Sequence, residues 1–510
     1  MPLSMCCIME LKYAKITNCY IYLKMKHLKS FILLSVLSIS LQGTMYAQND
    51  TLHLSLIECI ELLQKSNSNV AIARQNAAQK SAEQQATRGL YYPQIGVNAT
   101  FGILSKPVAI DLNPIGDALT GLYTLSAGQT QLLGALNPAI TQTAEYAQLL
   151  GGAAQGLDAV QNGEWTKTLL NDQVGKIDAK LMWPIYTGGK IRAANKAGEV
   201  LKNEAESKLA SVQNAEISML VNRYFGLQLM MGVVEVRKSV VDAMKHHFEN
   251  AEKLTANGLA SDVERIHAKV AFVESERELR KVYNDVEMFE IAIKNILNTD
   301  SVILPIDDLK MHANINSMDS YVARAKENNP VFDQIGYKKV LANQAIIKER
   351  SQYLPDVALM GSYDLYRYEM SDLMPDWYVG LGVRLNIFEG FSKTHKVQAA
   401  KIQREQINTF QEKIENDIEA GITQAYLAVI QSVDRYKTSE ESLTLAEEYL
   451  RVREKAFAQG FATSVDVVDA NLNLSSVKIE RLKTLYEFNV AKAKLMELTG
   501  DVLLLAQDDN

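Results

Sequence analysis

The chain has 510 residues, 47% of them hydrophobic and 22% charged, which excludes a disordered protein. After residue 47 there are 48 Lys and Arg against 59 Asp and Glu, a formal charge of −11. An excess of acid on that scale argues against nucleic acid as a partner.

The first element is a targeting signal. Met25 to Lys29 reads MKHLK, a basic opening; Phe31 to Leu41 is an apolar run; MYA precedes Gln48. This is the pattern of a secretory signal peptide, too short to anchor in a bilayer. Residues 1–47 are therefore expected to be a signal with an upstream extension, and Met25 is a better-placed start than Met1. No Cys follows the cleavage point directly, so a lipid anchor is not expected. Cys6, Cys7 and Cys19 precede the signal and only Cys59 follows it, so no internal disulfide framework is expected. Cys59 reads as filler on a buried helix face.

Four β segments follow along the chain, at about 93–104, 176–187, 356–367 and 376–388. In the first, Ile95, Val97, Ala99, Phe101 and Ile103 alternate with Gln94, Gly96, Asn98, Thr100 and Gly102. The other three alternate likewise, one face apolar and one polar. Two readings fit: an antiparallel sheet packed on a soluble core, or a membrane barrel with a polar lumen. Four strands cannot close a barrel, and an open edge is not viable in lipid, so the second reading requires several chains. Between the first two strands lies an insertion, residues 105–175, with no Lys or Arg from Pro107 to Thr166. It is expected to be a long outer loop with short helices such as Ile140 to Leu150.

Each strand pair leads into a long helical stretch. Gly188 to Ala256 and Gly390 to Ala458 are each 69 residues without Pro. Roughly 100 Å of helix at about 1.5 Å per residue suggests coiled coil. Each stretch ends at a Gly, Gly258 or Gly460, and a returning helix follows, at 260–298 or 462–498.

The order of elements occurs twice. YYPQIGV (around Pro93) matches YLPDVAL (around Pro355), and NGLASDVERI (from Asn257) matches QGFATSVDVV (from Gln459). The expected division is a first unit at 48–299, a linker at 300–316, a second unit at 317–500 and a tail at 501–510.

The carrying residues, PIYTGGKIR (Pro184 to Arg192), the tips GLASDVERI and GFATSVDVVDA, NNPVF near Asn328 and LMELTG near the end, together resemble the TolC family of outer-membrane efflux proteins. The resemblance runs from residue 52 to 500. It implies a mainly α fold with a small β part. Three copies would form one twelve-stranded outer-membrane β-barrel, continued by a periplasmic coiled-coil barrel. It implies a passive duct with no catalytic residues and no cofactor, at work with a periplasmic adaptor and, through it, an inner-membrane RND or ABC transporter. Exit ducts for secreted proteins or for metal share this architecture, and the residues do not separate them. From another class, a coiled-coil scaffold without a pore is the alternative.

The resemblance also implies site residues. The family narrows its pore with a D-V-x-D pattern, which DVVD matches here at Asp466 and Asp469. Glu264 stands at the equivalent place in the first half. In a trimer the two aspartates would give a ring of six carboxylates, the logic of a cation filter. The plainer reading is that acids favour a helix start. The tips Gly258, Leu259, Ala260, Gly460, Phe461 and Ala462 are the expected adaptor-docking residues, and ordinary turn packing would use them equally well. Pro184, Gly188 and Gly189 mark the strand-to-helix junction. Family members can close the tip with an arginine and a tyrosine, whose places here hold Ala462 and Phe457, so the closing contacts must differ. The seven histidines show no metal-ligand spacing. Tyrosines and Arg367 between Tyr363 and Tyr368 read as an interfacial belt in contact with outer-membrane lipid.

Overall fold

The computed structural model describes residues 51–311 and 314–506. The expected signal at 1–47, with Met25 and the three early cysteines, lies outside the described residues, as do parts of the 300–316 linker and of the tail.

The described chain opens with β1 (Thr51–Leu54), α1 (Leu56–Ser66) and α2 (Ser68–Arg88). Helix α1 starts at a reciprocal cap. Ser55 N donates to Glu58 Oε2 at 2.8 Å, and Glu58 N donates to Ser55 Oγ at 3.4 Å. The S-x-x-E spacing makes this possible. Next come β2 (Gln94–Ile103) and the short β3 (Val108–Asp111). The insertion is more ordered than a loop with short helices: α3 (Asn113–Leu136) and α4 (Ala144–Gln161) form a helical hairpin. Strand β4 then runs from Thr166 to Thr187, starting ten residues before the expected 176. Its first part pairs with β3, which extends the ladder.

Helix α5 (Lys190–Ala256) has 67 residues and α6 (Asp262–Leu297) has 36. After β5 (Val302–Pro305) come α7 (Met318–Asn328) and α8 (Pro330–Ser351). Strands β6 (Asp356–Met370) and β7 (Trp377–Arg384) lead to α9 (Ser392–Ala458) and α10 (Ser464–Thr499), again of 67 and 36 residues.

The described residues divide into two compact units. One holds residues 51–67, 220–311 and 435–489. Its core joins Leu229, Val233 and Val234 of α5 to Val282 of α6, with Ile479 and Leu482 of α10 packed against them. Beside it β1 and β5 pair in parallel, Thr51 opposite Val302 and Leu54 opposite Pro305. Tyr224 is fully buried there, and its hydroxyl lies 2.7 Å from Asp307 Oδ2. Burial first, then Asp307, push the Tyr224 phenol above its usual range. Cys59 is also fully buried, and its thiol is pushed up to about 12, chiefly by burial. A thiol so placed is inert packing.

The other unit holds residues 68–219, 314–434 and 490–506. It contains a five-stranded antiparallel sheet, ordered β2-β4-β6-β7, with β3 on the free end of β4. Arg324 joins Asp501 through two nitrogens, at 2.9 and 2.6 Å. At the junction of β4 and α5, Gly188 has φ +59°, and a Cβ there would lie 2.8 Å from both Leu354 Cβ and Ser351 O. Only glycine fits that backbone and that space. Pro184, which brings no N–H to the ladder, stands next to a register shift in β4.

One described helix, α5, has an 18-residue window apolar enough for a membrane by composition, with mean hydropathy 1.3. Of that window 56% is buried in the chain itself, as in a core helix.

Candidate functional site

The sheet presents two chemically opposite faces. Alternate residues on neighbouring strands face the same way, and the register aligns the polar ones. Asn98 pairs with Asp178, Asp178 with Asp364, and Ser362 with both Lys180 and Tyr378. Charges on this face are mutually compensated. Lys176 Nζ lies 2.6 Å from Asp364 Oδ1, and Arg367 Nε 2.8 Å from Asp364 Oδ2. Arg367 also reaches Asp376 at 2.8 Å, and Lys180 lies 3.5 Å from Asp178. Side chains of Asp178 and Asp364 are nearly buried, so removing the cation beside Asp364 would strand a carboxylate away from water.

The opposite face is apolar and bare. Ile95 and Ile103 are each 75% exposed, Trp377 63% and Leu381 66%, with Val97, Phe101, Val379 and Val383 in the same state. A soluble core would cover such a face; nothing in the described chain does. At about 25 cal/mol per Å², a strip of this size is costly in water and comfortable in lipid. Tyr363, Tyr366 and Tyr368 are also exposed, as interfacial tyrosines are. Strands β2 and β7 end the pairing order, so each leaves an edge unpaired among the described residues.

The second candidate region is the pair of hairpin tips. Helix α5 ends at Ala256 and α9 at Ala458; Gly258 (φ +71°) and Gly460 (φ +77°) then turn the chain left-handed. Beyond them Leu259 is 76% exposed and Phe461 83%, while Ala260 and Ala462 are half-buried.

The three acids have three different situations. Asp466 closes a reciprocal cap on α10: Thr463 N and Thr463 Oγ1 both donate to its Oδ2, at 2.8 and 2.7 Å. Arg453 Nη1 of α9 lies 3.3 Å from its Oδ1. The Thr463 backbone bond first, then the Thr463 hydroxyl and Arg453, hold this carboxyl below the usual range. Glu264, in the first turn of α6, accepts from Ser464 N at 2.8 Å and so caps α10 from the other hairpin. Asp469 is exposed.

Several participants do not stand out in the sequence. Arg453 stacks on Tyr449 at 5.1 Å and holds Asp466, so an arginine and a tyrosine stand near the tip, in α9. The T-x-x-D spacing of Thr463 and Asp466 is a readable signal for the cap; Arg453, thirteen positions upstream, has none. His247 is buried at 6% exposure, its Nε2 lies 2.6 Å from Ser464 Oγ, and its ring packs 4.8 Å from Phe457. Burial first, then His267, hold His247 below its ordinary value of 6.5. Glu264 works the other way and His246 adds to the lowering. A cavity of about 500 Å³ opens beside it, lined by His246, Lys253, Glu454 and Asn471 among others. Among the described residues no group of three or more His, Cys, Asp or Glu could hold a metal ion.

Residues 322–501 match the family profile described as outer membrane efflux protein. No curated protein matches the chain. Among solved structures it is similar to the CmeC outer membrane channel of Campylobacter jejuni. Identity is 13% and the TM-score 0.67, over 92% of this chain and 94% of that one. The outer membrane protein VceC of Vibrio cholerae is 15% identical, with TM-score 0.65, over 87% of this chain and 96% of that one. The MtrE outer membrane channel of Neisseria gonorrhoeae, in its open state, is 13% identical, with TM-score 0.64, over 89% and 95%. At these identities the likeness establishes a shared fold.

Proposed function

We propose that this chain, which matches the outer membrane efflux protein profile at residues 322–501 and has the fold of solved outer membrane channels, is an outer-membrane exit duct. It is a channel and not an enzyme. The observation that carries the reading is the two-faced sheet: a bare apolar face, a charged and compensated polar face, and two unpaired edges. Lipid contact for the first, a wet lumen for the second and neighbouring copies for the edges satisfy all three at once. Three copies, each giving β2, β4, β6 and β7, make a barrel of twelve strands, with the helical hairpins in the periplasm.

The tips Gly258, Leu259, Ala260, Gly460, Phe461 and Ala462 are the surface for a periplasmic adaptor, which links the duct to an inner-membrane RND or ABC transporter. Exposed Leu259 and Phe461 support this, because single large apolar groups at a turn serve as anchors for a partner. The acids divide their work. Asp469 offers the free carboxylates of a cation-selective ring, while Asp466 and Glu264 hold the start of α10 and so the shape of the constriction.

The test is the purified protein in planar bilayers, beside Asp469→Ala. A trimer extracted from outer membrane that conducts, and loses cation preference in the variant, is the expected result. A protein that fractionates away from the membrane as a monomer refutes the duct. A conducting trimer with unchanged selectivity leaves the duct and removes the ring.

A further inference from the structure

Helix α3 carries a second seam that its own hairpin does not use. Ile115, Ala118, Leu122, Leu125, Leu132 and Leu136 are spaced 3 and 4 apart, with Gln129 filling the one remaining step. These are successive a and d positions of just over three heptads, and all seven are exposed. The inward face of α3 is already occupied: Gly116 lies against Trp165 and Gly134 against Tyr146, while Tyr123 covers Gly156 of α4. The stripe is therefore surplus to the hairpin.

What covers it can be argued from charge and position. Asp117 is the only charged residue in α3, and it lies off the seam. One flank of the seam is Gly121, Gly128 and Ala135, small enough for a second helix to come close. A helix lying on a membrane surface uses Lys and Arg on its polar face, and residues 107–166 contain none against five acids. An anionic leaflet would repel this hairpin. The hairpin grows from β3 and β4, inside the sheet whose edges call for further copies. Around a threefold axis the α3 helices would rise at equivalent places and in parallel.

We infer that α3 is a homotypic interface: the α3 helices of the copies in one duct bundle through this seam into a parallel coiled coil at the outer mouth. This rests on the oligomeric barrel proposed above. Gln129 is the single polar a-position layer, the device that fixes register and strand number in coiled coils at some cost in stability.

The test places one cysteine in the full chain, Leu125→Cys on the seam or Thr124→Cys off it; both sites are exposed, and Cys59 is fully buried. Facing seam positions bring Cα atoms to about 6 Å, within disulfide reach. Outer membranes are oxidised mildly and run on denaturing gels without reductant, after the native mass has been measured in detergent. The expected result is a covalent dimer for L125C that persists on dilution, and monomer for T124C. A native trimer in which L125C stays monomeric, or crosslinks only at high protein concentration, overturns the seam and leaves the duct. A native monomer overturns both.

Discussion

The two hairpin tips have the same dimensions and different wiring. Each follows a 67-residue helix, turns at a left-handed glycine and returns by a 36-residue helix. The second tip caps itself, with Thr463 and Asp466, and ties that cap to Arg453 of its own hairpin. The first closes α6 with Ser261 and lends its carboxylate, Glu264, to Ser464 of the second. The two backbones share one geometry, while the charges they carry make different contacts. The first tip clamps, and the second leaves Asp469 exposed.

The change with the largest expected effect is Glu264→Ala, which removes the clamp. It leaves the Ser464 N–H without its charged acceptor, at a cost of about 1–3 kcal/mol. A lower melting midpoint of the trimer and a larger conductance are expected; an unchanged melt would mean the tips are independent. Next are Gly258→Ala and Gly460→Ala. Both force a left-handed residue at about 1 kcal/mol, equally in the two tips, because a Cβ at either glycine would meet nothing within 4 Å. Unequal melts would break the symmetry of the backbones.

Acid should act through His247. Its folded value lies below 6.5, so the unfolded chain binds the proton more readily. The stabilisation is full above about pH 6.5 and is lost as pH falls from there through the folded value. A melt followed from about pH 7.5 to 5 should therefore fall, and His247→Gln should flatten that fall; an equally steep fall in the variant assigns it to other groups. Asp466→Ala is expected to be milder than Glu264→Ala, since this cap is solvent-exposed. The smallest effect on the melt belongs to Asp469→Ala, which should change ion selectivity alone.

Much of the fold could be read from period. Alternation over Ile95 to Ile103 and over Trp377 to Val383 marks strands because each face meets one environment. The long Pro-free stretches mark helices for the same kind of reason. Strand β4 before residue 176 escaped, because TKTLLNDQV does not alternate where it pairs with β3. The α3 helix escaped because its glycines suggest a loop, although its heptads were present in the sequence. At the tips, Asp466 and Glu264 could be picked out as acids, but not what they hold. Ser464 lies 200 residues from Glu264, and only the folded chain brings the two together.

The strand order has a consequence for how the protein is made. Strand β4 pairs with β6, Trp183 opposite Leu359, so both long helices of the first half and α7 and α8 lie between partners. Such pairing is slow, since a large loop must close before any ladder bond forms. The chain must therefore cross into its compartment with β2 and β4 waiting, apolar faces bare, until β6 and β7 arrive. Helical hairpins, built from local contacts, can form in that interval. The slow step of assembly should be closure of the sheet, and the waiting strands are where a chaperone would be needed.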